Sequence, residues 1–165
     1  MGLFNFLKSK KNGGTTEQKV FLSEENNTAV SFEKAEKLRA QFISLMSQDK
    51  RSEKFNIASS MLLNRAYDAS IDCYNYLMEK YPDSIAECQS QIGACYYFTK
   101  EYKKAIEYYL VARKNGANES MMDDNVWEAC EALFKIDKNP SVILDYLDHY
   151  PEGNYKKKAK RILLR

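Results

Sequence analysis

The sequence predicts an all-α protein: a solenoid of about three helix-turn-helix pairs, with an extra helix before them and a capping helix after them. Three observations carry that prediction. Glycine and proline are scarce, six and three in 165 residues, while Lys, Glu, Leu, Ala and Tyr abound, which favours helix over turn-rich β structure. From Ser31 onward apolar residues recur at three- and four-residue steps. The chain also resembles itself when shifted by 35 residues. That shift lays Ile57-Ala58-x-x-Met61 on Ile92-Gly93-x-x-Tyr96, and Tyr67, Ile71, Tyr74 and Leu77 on Tyr102, Ile106, Tyr109 and Ala112.

Residues 1–30 read as an arm and linker, and 31–165 as one helical repeat domain. The opening MGLFNFLKSKK carries its charge after a short apolar run, has no small-residue cleavage site, and places Phe6 where myristoylation needs Ser or Thr. Neither a secretory signal nor a stable membrane anchor is expected. Leu3, Phe4, Phe6 and Leu7 beside lysines predict at most weak, reversible contact with an anionic surface. Gly13-Gly14 breaks any helix, and Val20-Phe21-Leu22 is an apolar island that can dock back on the domain.

A first helix is expected over 31–48, with Ser31 as N-cap and Phe32, Ala35, Leu38, Phe42, Leu45 and Met46 on its apolar side. The first pair spans 53–64 and 67–80, with a break at Pro82-Asp83; the second spans 84–99 and 102–115, with a break at Asn115-Gly116. A third pair is expected near 121–135 and 140–149, where Asn139-Pro140 reads as an N-cap followed by proline at the first helical position. The last helix puts Tyr155, Ala159, Ile162 and Leu163 on one side and lysines on the other, the pattern of a solubilising cap.

Ile92-Gly93-x-x-Tyr96, Ala105-x-x-x-Tyr109 and Ala112 resemble the tetratricopeptide pattern of Leu-Gly-x-x-Tyr, Ala-x-x-x-Phe and Ala. The match is good over residues 51–119 and weaker beyond. The ending YPEGNYKKKAKRILLR resembles the starts of repeats in bacterial tetratricopeptide proteins. On this resemblance Gly93 and Ala105 let paired helices approach closely, while Tyr96, Tyr102 and Tyr109 fill the space between successive pairs. In the third pair Trp127 stands at the place of Gly93, which argues against close backbone approach there.

The resemblance further implies a concave groove lined by the first helix of each pair. Carried over by matched position, Phe55, Ser59 and Leu62 align with Ser90, Ala94 and Tyr97, and in turn with Asp124, Glu128 and Glu131. Each triple steps by four and then three, so each lies on one helical face. The face runs from apolar, through small and aromatic, to acidic. The Lys, Arg and Asn with which the family clamps C-terminal carboxylates are missing from these positions, so a partner that is basic at the contact is expected instead.

Residues for chemistry are sparse. His149 is the one histidine, beside Asp145 and Asp148, a setting for a surface ion pair. Asp123-Asp124 opens a helix, where carboxylates favour the positive end of the dipole. No phosphate-cradling glycine loop or nucleophile elbow occurs. The four cysteines lack C-x-x-C spacing; Cys88 and Cys95 lie about 10 Å apart along one helix, too far for a disulfide. Buried reduced thiols and a cytoplasmic location are expected. The formal charge of +2 gives no footprint for nucleic acid, and the basic run Lys156, Lys157, Lys158, Lys160, Arg161 and Arg165 has only Tyr155 as a stacking platform. The expectation is a non-catalytic protein-interaction module, an adaptor or scaffold, without metal, cofactor or small-molecule substrate. The alternative is an immunity protein that neutralises a bacterial toxin by covering it.

Overall fold

The structure, a computed structural model, describes residues 24–164, which form eight α-helices and no strand. The expectations for residues 1–23, including the apolar island, lie outside the described residues. The helices pack in sequence-adjacent pairs, and the chain divides into two compact units between Ser84 and Ile85.

The first unit contains α1 (Glu24–Leu45), α2 (Arg51–Leu63), α3 (Tyr67–Lys80) and a 3-10 turn at Pro82–Ser84. Helix α1 starts at Glu24, ahead of the expected Ser31, which is therefore internal to the helix and not its cap. The physical reason is that 24–31 contains neither glycine nor proline, so nothing interrupts the helix upstream of the apolar pattern. Phe32 is also not a core residue: it is 68% exposed, whereas Phe42 and Leu45 are buried. They pack in the same unit as Ala58, Met61 and Leu62 of α2 and Cys73, Tyr74 and Leu77 of α3. The Ser70 hydroxyl donates to the Ala58 carbonyl at 2.9 Å, tying α3 to α2 where both chains run close.

One charge is buried among the described residues of this unit. Lys54 is fully enclosed, its ammonium donating to the Gln48 carbonyl at 2.7 Å and to the Tyr81 hydroxyl at 3.2 Å. The rings of Tyr81 and Tyr76 lie 5.5 and 5.9 Å from it. A desolvated cation needs such compensation, here from a carbonyl, a hydroxyl and two π faces.

The second unit contains α4 (Ile85–Phe98), α5 (Tyr102–Lys114), α6 (Glu119–Asp137), α7 (Ser141–His149) and α8 (Lys156–Leu163). Its core centres on Tyr109, Trp127 and Tyr146, all essentially inaccessible. A Cβ on Gly93 would sit 2.7 Å from Cδ1 and Cε1 of Tyr109, so α4 and α5 approach as the glycine predicts. Between α6 and α7 the approach is made by rings: Trp127 meets Tyr146 edge-on at 4.9 Å and stacks on Tyr155 at 5.2 Å. Asn118 caps α6, accepting from the Met121 N–H at 2.9 Å. The Asn139 carboxamide accepts from the Ser141 N–H at 3.0 Å, but α7 begins at Ser141 with Pro140 at its N-cap, one residue later than the sequence expects.

The turns inside the first two pairs repeat in atomic detail. Arg65 and Lys100, 35 positions apart, both adopt positive φ, 64° and 66°. In each turn the next N–H reaches back to a helix carbonyl, Ala66 to Met61 at 2.9 Å and Glu101 to Tyr96 at 2.8 Å. These are Schellman caps built on long cationic residues instead of glycine. Gly116, with φ of 96°, makes the equivalent cap after α5.

Candidate functional site

Of the nine groove positions, Phe55, Ser59 and Leu62 belong to the first unit and the other six to the second. In the first unit the Ser59 hydroxyl pairs with the Tyr74 hydroxyl at 2.9 Å, and the Phe55 ring lies 6.4 Å from Tyr74 and 6.3 Å from Tyr81. The Arg51 guanidinium lies 5.8 Å from the Phe55 ring and 2.7 Å from the Asp83 carboxylate. This is a local packing cluster, and Leu62 is itself buried.

In the second unit Ser90, Ala94 and Asp124 are also buried, at 6, 0 and 7% exposure, and present almost no surface of their own. Tyr97, Glu128 and Glu131 are half-buried and accessible. The Tyr97 ring packs edge-on to Tyr102 at 5.4 Å and to Phe98 at 5.7 Å. Burial raises the pKa of its hydroxyl, and the negative fields of Glu128, Tyr102 and Glu131 raise it further.

The three acidic groove positions of α6 have different fates. Glu131 is neutralised, with Lys158 at 2.5 Å and Lys135 at 3.2 Å. Burial acts to raise its pKa, but the hydrogen bonds from the two lysines outweigh that and hold it below the usual value. Asp124 is held from the chain after α7: the Asn154 carboxamide lies 3.4 Å away, and the Tyr155 hydroxyl hydrogen-bonds to it. Glu128 has neither a hydrogen bond nor an ion pair to another described residue. Burial raises its pKa, and Asp124 and Glu131 on the same helix raise it further.

Tyr109 of α5 is fully buried, its hydroxyl without a hydrogen-bond partner among the described residues. Burial and then the charge of Glu128 push its pKa well up. The cause is visible in the repeat. Tyr109 is the counterpart of Tyr74, whose hydroxyl meets Ser59; 35 positions after Ser59 the chain has Ala94. The second pair keeps the ring and omits the hydroxyl that would answer it.

The residues that complete this face, Tyr102, Tyr109, Tyr155 and Lys158, are not among the nine. Tyr109 was marked by the repeat as packing. Tyr155, just before α8, and Lys158, in its first turn, reach Asp124 and Glu131 from a segment that the position matching did not pair with α6.

A separate cleft of about 470 Å³ runs between Arg113, Glu119, Ser120, Asp123 and the chain from His149 to Asn154. Its charged groups are committed. Asp123 accepts from the Tyr146 hydroxyl at 2.5 Å and from the Asn154 N–H at 2.6 Å. Arg113 pairs with Glu119 at 2.6 Å, donates to the His149 carbonyl at 2.9 Å, and covers the Tyr150 ring at 4.4 Å. His149 itself is exposed. The cleft is a structural latch for the chain entering α8.

Among the described residues no group of three His, Cys, Asp or Glu side chains is placed to hold a metal, and no helix is long and apolar enough to cross a membrane. All four cysteines are buried. Burial first, and then Asp72 and Asp145 respectively, push the Cys73 and Cys130 thiols up to about 12, far from the thiolate form at neutral pH. Compared with known proteins, the chain matches no family model and no curated protein.

Proposed function

We propose that this chain is a non-catalytic protein-binding module of tetratricopeptide-like helical pairs, an adaptor or scaffold that holds a partner on the face shared by α4 and α6. The observation that carries this reading is the juxtaposition of the half-exposed Tyr97 ring with Glu128, an acid that the fold leaves unneutralised while it neutralises its neighbour Glu131. Tyrosine supplies a large, rigid contact at low entropic cost, and hot spots favour it. Uncompensated carboxylate beside it selects a partner that is basic at the contact, through on-rate and specificity more than raw affinity. A toxin with a basic active-site rim is one such partner, and gene neighbourhood distinguishes that case from a resident scaffold.

The test is a quantitative pull-down from the native organism with three baits: the full chain, Tyr97→Ala, and the double variant Asp124→Lys, Glu128→Lys. The expected result is a protein enriched by the full chain and depleted by both variants, with its capture falling as salt rises. Equal recovery by all three baits refutes the surface.

A further inference from the structure

A smaller cleft, of about 240 Å³, lies between α6 and α8 in the second unit. Glu131, Phe134 and Lys135 line it from α6, and Lys158, Arg161 and Ile162 from α8. The three residues of α8 stand at i, i+3 and i+4, so they share one side of that helix. Phe134 and Ile162 pack against the core yet keep part of their surface open, and they give the cleft apolar walls. Its volume is below the roughly 300–1,000 Å³ of small-molecule sites. It has room for an inserted side chain.

The charges of the lining do not balance. Glu131 is its single carboxylate and is already shared, with Lys158 at 2.5 Å and Lys135 at 3.2 Å. Arg161 is exposed and has no ion pair to another described residue. Three cations and one anion leave an excess of two positive charges beside two open apolar side chains. The planar guanidinium of Arg161 is the group best suited to take a carboxylate, through two parallel N–H donors.

That combination selects an occupant. The apolar Leu3, Phe4, Phe6 and Leu7 of this chain come with Lys8, Lys10 and Lys11, which carry the same sign as the cleft. A segment that is basic at the contact, as on the face of α4 and α6, is repelled as well. An apolar side chain flanked by carboxylates meets both the walls and the charge.

We propose that the α6–α8 cleft docks an acidic segment of a partner protein. The segment inserts one apolar side chain between Phe134 and Ile162 and sets a carboxylate on Arg161. This goes beyond the reading of the α4–α6 face, since it names a second surface with the opposite charge preference.

The probe is a rhodamine-labelled, amidated peptide of glutamates around one leucine, titrated with the full chain and followed by fluorescence anisotropy. One control peptide replaces the leucine by serine, and another replaces the glutamates by glutamine. The expected result is saturable binding of the first peptide and binding of both controls weaker by about tenfold or more. Arg161→Gln should weaken it about tenfold, the loss expected for one charge-assisted contact. Lys160→Gln makes the same charge change on the other side of α8 and should weaken it less than about twofold. Ile162→Ser should abolish the advantage of leucine over serine.

Arg161 and Lys160 are both exposed, so thermal melts of these two variants should match the parent, and a difference between them reads docking and not folding. Equal losses in the two variants overturn the proposal, leaving only general attraction to a basic helix. No binding of the leucine peptide, or equal binding of the serine control, overturns it too. Two further arms test other occupants: co-sedimentation with phosphatidylglycerol vesicles, and sedimentation velocity of the chain alone. Vesicle attachment or self-association that is lost in Arg161→Gln would assign the cleft to a lipid surface or a second copy and overturn the partner segment. None of these outcomes bears on the α4–α6 face, which the pull-down with Tyr97→Ala tests separately.

Discussion

Ala94→Ser should stabilise the protein by supplying the hydroxyl that the first helical pair has and the second lacks. In the first pair Ser59 and Tyr74 share a hydrogen bond of 2.9 Å; in the second, Ala94 is fully buried and the Tyr109 hydroxyl has no partner. Leaving a buried hydroxyl unpaired costs about 1–3 kcal/mol. Serine in place of alanine inside a helix gives back about 0.5 kcal/mol, and its own hydroxyl must be desolvated. The balance is a gain of about 0.5–1.5 kcal/mol, or roughly 1–6 °C in Tm for a chain of this size. Urea denaturation of four proteins measures it: the parent, Ala94→Ser, Tyr109→Phe and the double variant. Ala94→Ser should help only when Tyr109 keeps its hydroxyl, and Tyr109→Phe alone should be neutral or better, since it removes an unpaired group. A serine that destabilises equally in both backgrounds would refute the reasoning, showing that the pair of rings and hydroxyls is not equivalent in the two repeats.

Gly153→Ala should destabilise by roughly 1–3 kcal/mol, because the new Cβ would lie 2.5 Å from the Tyr146 hydroxyl and 2.9 Å from the Asp123 carboxylate, against the bond that holds the entry to α8. Thermal melts check it, and a parent-like melt means that the turn yields. Lys100→Gly should stabilise by roughly 0.5–1 kcal/mol, since φ of 66° is strained for lysine and free for glycine, less the added freedom of the unfolded chain. Chemical denaturation reads that directly, and a loss of stability counts against strain in the turn. Glu128→Gln should stabilise at neutral pH and give no benefit at about pH 4 or below. The sign follows from the raised folded-state pKa of Glu128, caused by burial and then by Asp124 and Glu131. Its favourable contribution is complete below the unfolded value and is lost as pH rises through the folded one. Denaturation of both proteins across pH 4 to 8 measures the crossover; a benefit that grows on acidification contradicts the shift.

The helical class, the pairs and most helix ends were legible in the sequence, because they depend on local signals: apolar steps of three and four, the 35-residue self-similarity, and breaks at Pro82-Asp83 and Asn115-Gly116. Gly93 against Tyr109 was legible for the same reason, since a repeat registers which residues must meet. The start of α1 was not, because the absence of a helix breaker leaves no mark in a composition rich in Asn, Thr and Ser. The positive-φ turns at Arg65 and Lys100 were hidden because lysine and arginine carry no turn signature, and backbone hydrogen bonds impose that conformation on them. The candidate site divides similarly. Position on a helix face placed Tyr97, Glu128 and Glu131 together, but which acid keeps an unmet charge depends on Lys158, Asn154 and Tyr155 arriving from a segment about 25 to 30 residues further on. Sequence spacing determines which side chains share a face; only the packing of distant helices determines which of them already has a partner.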